Sequence, residues 1–521
     1  MREGNIFRVT PHHSMGSEST GTALSHLLSC GTARYVSPPP AGTPHEVKEK
    51  KKMNTTPDSS PVQQGAAASE SPQLARGLSL RHIMFIALGS AIGTGLFYGS
   101  ASAIQLAGPS VLLAYVIGGA AVFMVMRAMG ELALAHPVSG AFSEYATRYL
   151  GRWAGFVTGW TYALEMALVA IADVTAFAVY MKFWFPNSPS WIWIFSVLLI
   201  LLAINLAKVK AFGETEFWFT LVKVSAIVAM IVGGIALLFV GVQAHDSVAP
   251  SVTNLWALEG GFFANGFTGF LACFTVVMFA FGGIENIGIA AGEAKDPRTS
   301  IPKAIRTVPF RILIFYILTL SVIMSLYPWY SVTKANSPFV QIFEGLGIPA
   351  AASILNVVII TAAVSALNAD VYGAGRMMYG LAKQNLAPAS FAKVTKNGAP
   401  WMTTLIMVLV MAVGVIVNVL FENAFEVVAS LATFATVFVW VMILLAHIAF
   451  KRSGADTEAQ PVRQPRWLSY LALAFMIFIV VLFGCFADTQ LALVMGAIWC
   501  LFLLGYYRLV VVRARAEVAE A

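Results

Sequence analysis

The amino-acid sequence predicts an all-α polytopic membrane protein. It has twelve transmembrane helices, built as two five-span repeats of opposite orientation, with spans 1 and 6 broken near their middles. Three observations predict this: the composition, the spacing of the apolar runs, and two glycine clusters at matching places in the two halves. Hydrophobic residues make up 58% of the chain and charged residues 11%, and the mean hydropathy is +0.75. About a quarter of the residues of a soluble domain are charged, so this composition excludes one. The 36 Phe and 12 Trp suit lipid interfaces and apolar cores. Cys30, Cys273, Cys485 and Cys500 have neither metal-ligand nor disulfide spacing. No nucleophile–base pair or metal-ligand set stands out, which argues against an enzyme, a metal centre or a cofactor.

A bilayer core takes about 20 apolar residues per helix. Runs of that kind lie near 80–103, 109–134, 155–181, 190–207, 217–241, 266–290, 308–328, 349–375, 402–421, 424–449, 467–486 and 489–509. Short loops make spans 9 and 10, and spans 11 and 12, antiparallel hairpins. Orientation follows from Lys and Arg. With the N-terminus inside, the inner loops hold Arg148, Arg152, Lys208, Lys295, Arg298, Lys396, Lys451, Arg452, Arg513 and Arg515 among others, while Lys182 and Lys334 alone lie outside. This is the positive-inside bias, with both termini cytoplasmic. It accounts for the net charge of +7 without nucleic acid.

The stretch 1–78 is polar, holds no run long enough to cross a bilayer, and shows no signal-peptide pattern. It reads as a disordered cytoplasmic tail. Lys48-Glu49 matches the in-frame translation of a bacterial ribosome-binding sequence, which makes Met53 a candidate start and leaves 1–52 untranslated on that reading. A basic juxtamembrane tail is the alternative, and N-terminal sequencing decides between them. The remainder divides into a first repeat over 79–242, a second over 243–450, and spans 11 and 12 with a C-terminal tail over 451–521.

The glycines locate the candidate site. Span 1 carries "GSAIGTGLFYGS" over 89–100, and span 6, five spans later, carries "FTVVMFAFGGIENIGIAAGEA" over 274–294. Interrupted segments at corresponding positions of two halves mark the binding site of a transporter. Non-helical backbone at membrane depth survives only beside a cavity or under protein. Freed N–H groups attract a carboxylate and freed carbonyls an ammonium, so the ligand is a zwitterion. Close helix packing would also use small residues, but paired clusters, one beside Glu285, favour the site. The substrate-binding candidates are Ser90, Ala91, Ile92, Gly93, Thr94 and Gly95 in span 1, and Phe279, Ala280, Phe281, Gly282 and Gly283 in span 6. Phe279 and Phe281 supply an apolar wall.

With "LGSAIGTGLFYGSASAIQLAGPSVLLAY", "FAFGGIENIGIAAGEAKDPRTSIPKAI" and "SALNADVYGAGRMMYGLA" on the page, the chain resembles the bacterial amino acid permeases of the amino acid–polyamine–organocation superfamily from about Gly77 onward. "GWTYALEMALVAIADVTAFAVYMKFWFP" and "SLATFATVFVWVMILLAHIAF" look closest to its proline-specific branch. The resemblance implies a leucine-transporter-like 5+5 inverted repeat in a bacterial inner membrane, importing an amino acid together with protons. Proline is the first substrate it implies; histidine, γ-aminobutyrate and aromatic amino acids are the alternatives. It also implies an aromatic ring at Phe279 packed over the bound amino acid.

Ionisable groups inside the membrane are functional candidates by default. Lys223 in "FTLVKVSAIVAMI" is roughly 9 Å from the inner end of span 5 at about 1.5 Å per residue. Snorkelling explains a lysine at that depth. The resemblance instead implies proton coupling, with the ammonium tying span 1 to carbonyls of span 8. Glu285 is a candidate proton relay or a brace for the broken helix. Glu165 and Asp173 of span 3 are candidates for the substrate ammonium or for buried partners. Arg127 and Glu131 have the i, i+4 spacing of a structural ion pair. "GEAKDPRTSIPKAIR" reads as a solvated, orientation-setting loop or an inner gate. The oligomeric state is not legible.

Overall fold

The computed structural model describes residues 78–512, apart from 139, 206–208, 242–247, 335, 396–397, 422 and 455–460. The N-terminal tail with Lys48-Glu49 and Met53, and Cys30, Lys208, Lys396, Arg513 and Arg515, lie outside the described residues. Among the described residues the secondary structure is helical, and one isolated bridge joins Leu78 to Ala294. Eleven helices are long and apolar enough to cross a membrane, and Ser190–Asn205 is a shorter apolar helix of 16 residues. Together they supply the twelve spans.

Span 1 is Leu80–Ala91 continued by Thr94–Phe97 and Gly99–Ala107; span 2 is Val111–Ala135. Span 3 is Arg152–Lys182, span 4 Ser190–Asn205 and span 5 Val209–Val240. Span 6 is Gly266–Val277, a 3-10 turn at Phe279–Phe281, and Asn286–Ala291. Spans 7 to 12 are Pro297–Leu326, Pro349–Lys383, Trp401–Leu420, Ala424–Arg452, Arg466–Cys485 and Ala487–Tyr506. Short helices at Ala141–Leu150 and Pro338–Gly345 lie between spans 2 and 3 and between spans 7 and 8. At 10 and 8 residues, both are too short to cross a bilayer.

Burial sorts the spans into a centre and a rim. In spans 1, 3 and 10 the most apolar window is 67% buried, against 28% in spans 5 and 9 and 6% in span 12. Span 3 packs chiefly on spans 8 and 10, span 2 on span 7, and span 1 on span 6 and then span 5. Leu199, Phe239 and Leu501 on the rim are exposed, as lipid-facing residues are.

The two breaks fall where the glycines put them. The first helix of span 1 ends at Ala91, Gly93 is extended at φ −128° and ψ −153°, and the helix resumes at Thr94. In span 6 the helix stops at Val277 and resumes at Asn286. Two glycines are required by contact. A Cβ on Gly95 would lie 2.7 Å from Ala280 Cα, and one on Gly283, whose φ is +86°, would lie 2.8 Å from the Ser90 carbonyl. Each broken segment thus crosses the other at a glycine.

At the C-terminal end of span 2 the sequence expectation for Arg127 and Glu131 is corrected. Glu131 is fully buried and takes Lys451 Nζ, the Gln464 N–H at 2.9 Å and His447 Nε2 at 2.9 Å. Arg127 donates instead to the Arg463 carbonyl. The i, i+4 spacing puts both side chains near one helix face, but Glu131 is turned inward, where spans 10 and 11 offer donors. The loop after span 6 divides as well. Lys295, Asp296 and Arg298 are exposed, whereas Glu293 is buried and takes Arg376 Nε of span 8 at 2.8 Å. The Arg376 guanidinium also lies 3.9 Å from the Tyr372 ring centroid.

Removing one partner of a buried ion pair strands the other charge, at about 3–5 kcal/mol. Glu131→Ala is therefore expected to lower the melting temperature of the purified protein sharply, and Glu131→Gln to lower it less. Equal melting curves for the wild type and Glu131→Ala would show that the network carries no stability.

Candidate functional site

A helix broken at mid-membrane leaves backbone groups that water cannot reach, so their partners define the site. Lys223 of span 5 supplies two of them. Its side chain is fully buried, and Nζ donates to the Gly89 carbonyl at 2.6 Å and the Ile92 carbonyl at 3.1 Å. An ammonium so placed is aimed inward and does not snorkel. Both acceptors belong to span 1, which corrects the expected tie to span 8 carbonyls. The link to span 8 runs through Glu216, seven positions before Lys223: its Oε1 accepts from Ser365 Oγ of span 8 and from Thr220 Oγ1 at 3.4 Å.

Tyr316 of span 7 joins the two breaks. Its hydroxyl lies 2.6 Å from the Ala91 carbonyl and 2.6 Å from the Ala280 carbonyl, so one donor is shared between spans 1 and 6. Glu285 braces span 6 from within: Oε1 accepts the Gly283 N–H at 3.0 Å and Oε2 accepts Trp440 Nε1 at 3.3 Å. The adjacent Asn286 accepts the Tyr162 hydroxyl at 2.9 Å and donates to Ser90 Oγ at 3.4 Å. The N–H groups of Thr94 and Gly95, at the start of the second helical piece of span 1, donate to no backbone acceptor among the described residues. They form the electropositive end that suits a carboxylate.

A cavity lies between the breaks. All the predicted span 1 and span 6 residues line it except Ile92 and Phe281. Ile92 gives its carbonyl to Lys223. Phe281 turns away and packs on Tyr115 and Tyr316 at centroid distances of 5.9 and 5.6 Å. The expected double phenylalanine wall is thus Phe279 alone, joined by Met166, Val169 and Ala366.

Carboxylates surround this space. Asp173 lines the cavity and accepts the Thr94 hydroxyl at Oδ1, while Oδ2 has no partner among the described residues. Glu165 stands behind Thr436, whose hydroxyl donates to it at 2.8 Å. Asp370 of span 8 also lines the cavity. Sequence reasoning missed Asp370, Glu216 and Tyr316. Asp370 lies inside "SALNADVYGAGRMMYGLA", where a charge in an apolar run is a readable signal. Glu216 sits one residue before the expected start of span 5, so it passed for a loop residue. Nothing in the sequence singles out Tyr316 among 15 tyrosines.

The amino acid permease family model matches residues 82–519. The uncharacterized amino acid permease YtnA of Bacillus subtilis is 46% identical over 440 residues, covering 84% of this chain and 95% of that protein. The uncharacterized transporter YdgF of the same organism is 42% identical over 439 residues, with coverage of 84% and 95%. The aromatic amino acid transport protein AroP of Escherichia coli strain K12 is 45% identical over 440 residues, covering 83% of this chain and 95% of that protein. These relatives are named as transporters and not as enzymes.

Tyr316→Phe leaves two buried carbonyls without their shared donor, a loss of about 1–3 kcal/mol. Gly95→Ala drives a methyl into the backbone of span 6, and overpacking of this kind costs about 1–3 kcal/mol. Both variants are expected to melt at lower temperature than the wild type in detergent. A Tyr316→Phe protein with wild-type melting and binding would remove that hydroxyl from the site.

Proposed function

We propose, from the premise that this chain belongs to the amino acid permease family, that it imports an amino acid across a bacterial inner membrane by proton symport. The observation that carries the reading is the cavity between two paired helix breaks, with Lys223 on the freed carbonyls of the first. The substrate carboxylate goes to the N–H groups after the span 1 break, and Phe279 covers the apolar part of the ligand. Transport rocks spans 1, 2, 6 and 7 against the rest. Both termini are cytoplasmic on this reading, and the repeats run over 79–242 and 243–450, followed by 451–521.

Lys223 couples the proton to the motion. Charged, it holds the carbonyls of Gly89 and Ile92; neutral, it releases one or both and frees the break to rearrange. Glu285 is the second coupling candidate, since the N–H of Gly283 binds its ionised form better than its protonated form.

Proline is the first substrate, supported by the resemblance of 159–186 and 430–450 to the proline-specific branch. An aromatic amino acid is the second, supported by the 45% identity to AroP. A channel or a receptor on the same fold is separated from a carrier by counterflow, which a carrier alone accelerates.

Labelled proline and labelled phenylalanine are each expected to be tested in proteoliposomes, with and without an inward proton gradient. Gradient-driven uptake of proline, resisted by excess phenylalanine, histidine and γ-aminobutyrate, supports the first reading. Uptake of phenylalanine alone moves the assignment to the second, and no gradient dependence for any amino acid discards symport. Lys223→Ala is expected to abolish uphill accumulation while counterflow persists; normal accumulation would remove Lys223 from coupling.

A further inference from the structure

The cavity is faced by more carboxylate oxygen than the broken backbone uses. Asp370 lies one helical turn beyond Ala366 on span 8, and Ala366 abuts the span 1 break: a Cβ on Gly93 would be 3.3 Å from its Cβ. Both residues line the cavity. Asp370 is 5% exposed and its Oδ2 is buried without a hydrogen-bond partner among the described residues. Asp173 reaches the same cavity from span 3, is 1% exposed, and among the described residues leaves its own Oδ2 unpartnered after taking the Thr94 hydroxyl.

Neighbouring groups do not satisfy these oxygens. Lys223 is a nearby cation, but two of its three N–H groups go to the carbonyls of Gly89 and Ile92, and among the described residues it makes no hydrogen bond to either aspartate. Glu285 is held by Gly283 and Trp440, and Glu165 stands behind Thr436 without lining the cavity. Buried carboxylate oxygens without partners are costly, and two at one cavity repel each other as well. A cationic ligand removes both costs.

We propose that Asp370 and Asp173 together form the counter-ion site for the ammonium group of the transported amino acid. The inference rests on the amino acid reading above and adds to it the groups that select for the amine. The zwitterion then lies with its carboxylate at the N–H groups of Thr94 and Gly95 and its ammonium between spans 3 and 8. An acid of the same shape but lacking the amine brings no donor to Asp370 and Asp173. The site rejects it by leaving both carboxylates unpaired.

The test measures binding to the full-length protein in nanodiscs at one fixed pH. The probes are labelled proline and labelled phenylalanine, displaced by tetrahydrofuran-2-carboxylate and 3-phenylpropionate, which keep the shape and lose the amine. In the wild type the amino acid is expected to bind far more tightly than its partner acid. Asp370→Asn, nearly isosteric, is expected to weaken amino acid binding roughly 10- to 100-fold, the range for a charged hydrogen bond. Binding of the acid is expected to stay the same or tighten, and Asp173→Asn to act in the same direction. Equal weakening of amino acid and acid marks Asp370 as structural and overturns the proposal. Unchanged affinity for both ligands in Asp370→Asn also overturns it. A wild-type protein that binds neither amino acid overturns the underlying reading, a result distinct from binding that ignores Asp370.

Discussion

Backbone polar groups in a lipid bilayer have no water to turn to, and the centre of this protein is organised around that constraint. Opening span 1 at Ile92 and Gly93 frees carbonyls that an intact helix would satisfy. The ammonium of Lys223 and the hydroxyl of Tyr316 take three of these from two other spans, at Gly89, Ile92 and Ala91. Span 6 finds its support from Glu285, Trp440 and the same Tyr316. Lys223, Tyr316 and Trp440 reach the breaks from three other helices, so moving any of these helices changes how the breaks are satisfied. A site held this way responds to ligand and to rearrangement together, because both act on the same backbone groups.

Charge is the second constraint. Glu165, Asp173, Glu216, Glu285 and Asp370 are all buried near the centre, and Lys223 is the cation beside Glu216, Asp173 and Asp370. So many carboxylates so close together cannot all stay ionised in a low-dielectric interior without positive charge from elsewhere. On the reading proposed above, protons and a substrate ammonium supply that charge. Glu285, with both oxygens bonded, braces span 6; Asp173 and Asp370 each leave an oxygen unpartnered at the cavity among the described residues, while the unpartnered Oε2 atoms of Glu165 and Glu216 belong to residues that do not line it. The division of labour among chemically identical groups is set by position.

The inner side adds a third layer. Glu293 of the span 6 end meets Arg376 of span 8, and Glu131 of span 2 meets Lys451 of span 10. Arg81 at the start of span 1 meets Glu214 of span 5 at 2.7 Å, on the exposed surface. Each pair joins a span from the proposed moving group to one from the remainder. The buried pairs hold this arrangement more firmly than the exposed one, since water screens the latter.

The architecture was legible in the sequence because its causes are local or periodic: length and apolarity specify spans, and glycine runs specify breaks. Thus the break at Gly93, the one at Gly282–Gly283, and the cavity lining that spans 1 and 6 contribute follow from residues read in order, whereas Met166, Val169, Ala366, Asp370 and Thr436 do not, and the sequence left Lys223 between snorkelling and burial. What the tertiary structure decided is direction and partnership. Phe281 lies two residues from Phe279 and faces the other way, and Glu131 passes over Arg127 for Lys451, because inward-facing positions are filled by whichever helix packs there. Asp370 and Tyr316 gain their places only when spans 7 and 8 close on spans 1 and 3. A sequence records which polar groups enter the membrane; their partners depend on distances across helices hundreds of residues apart, and only packing sets those.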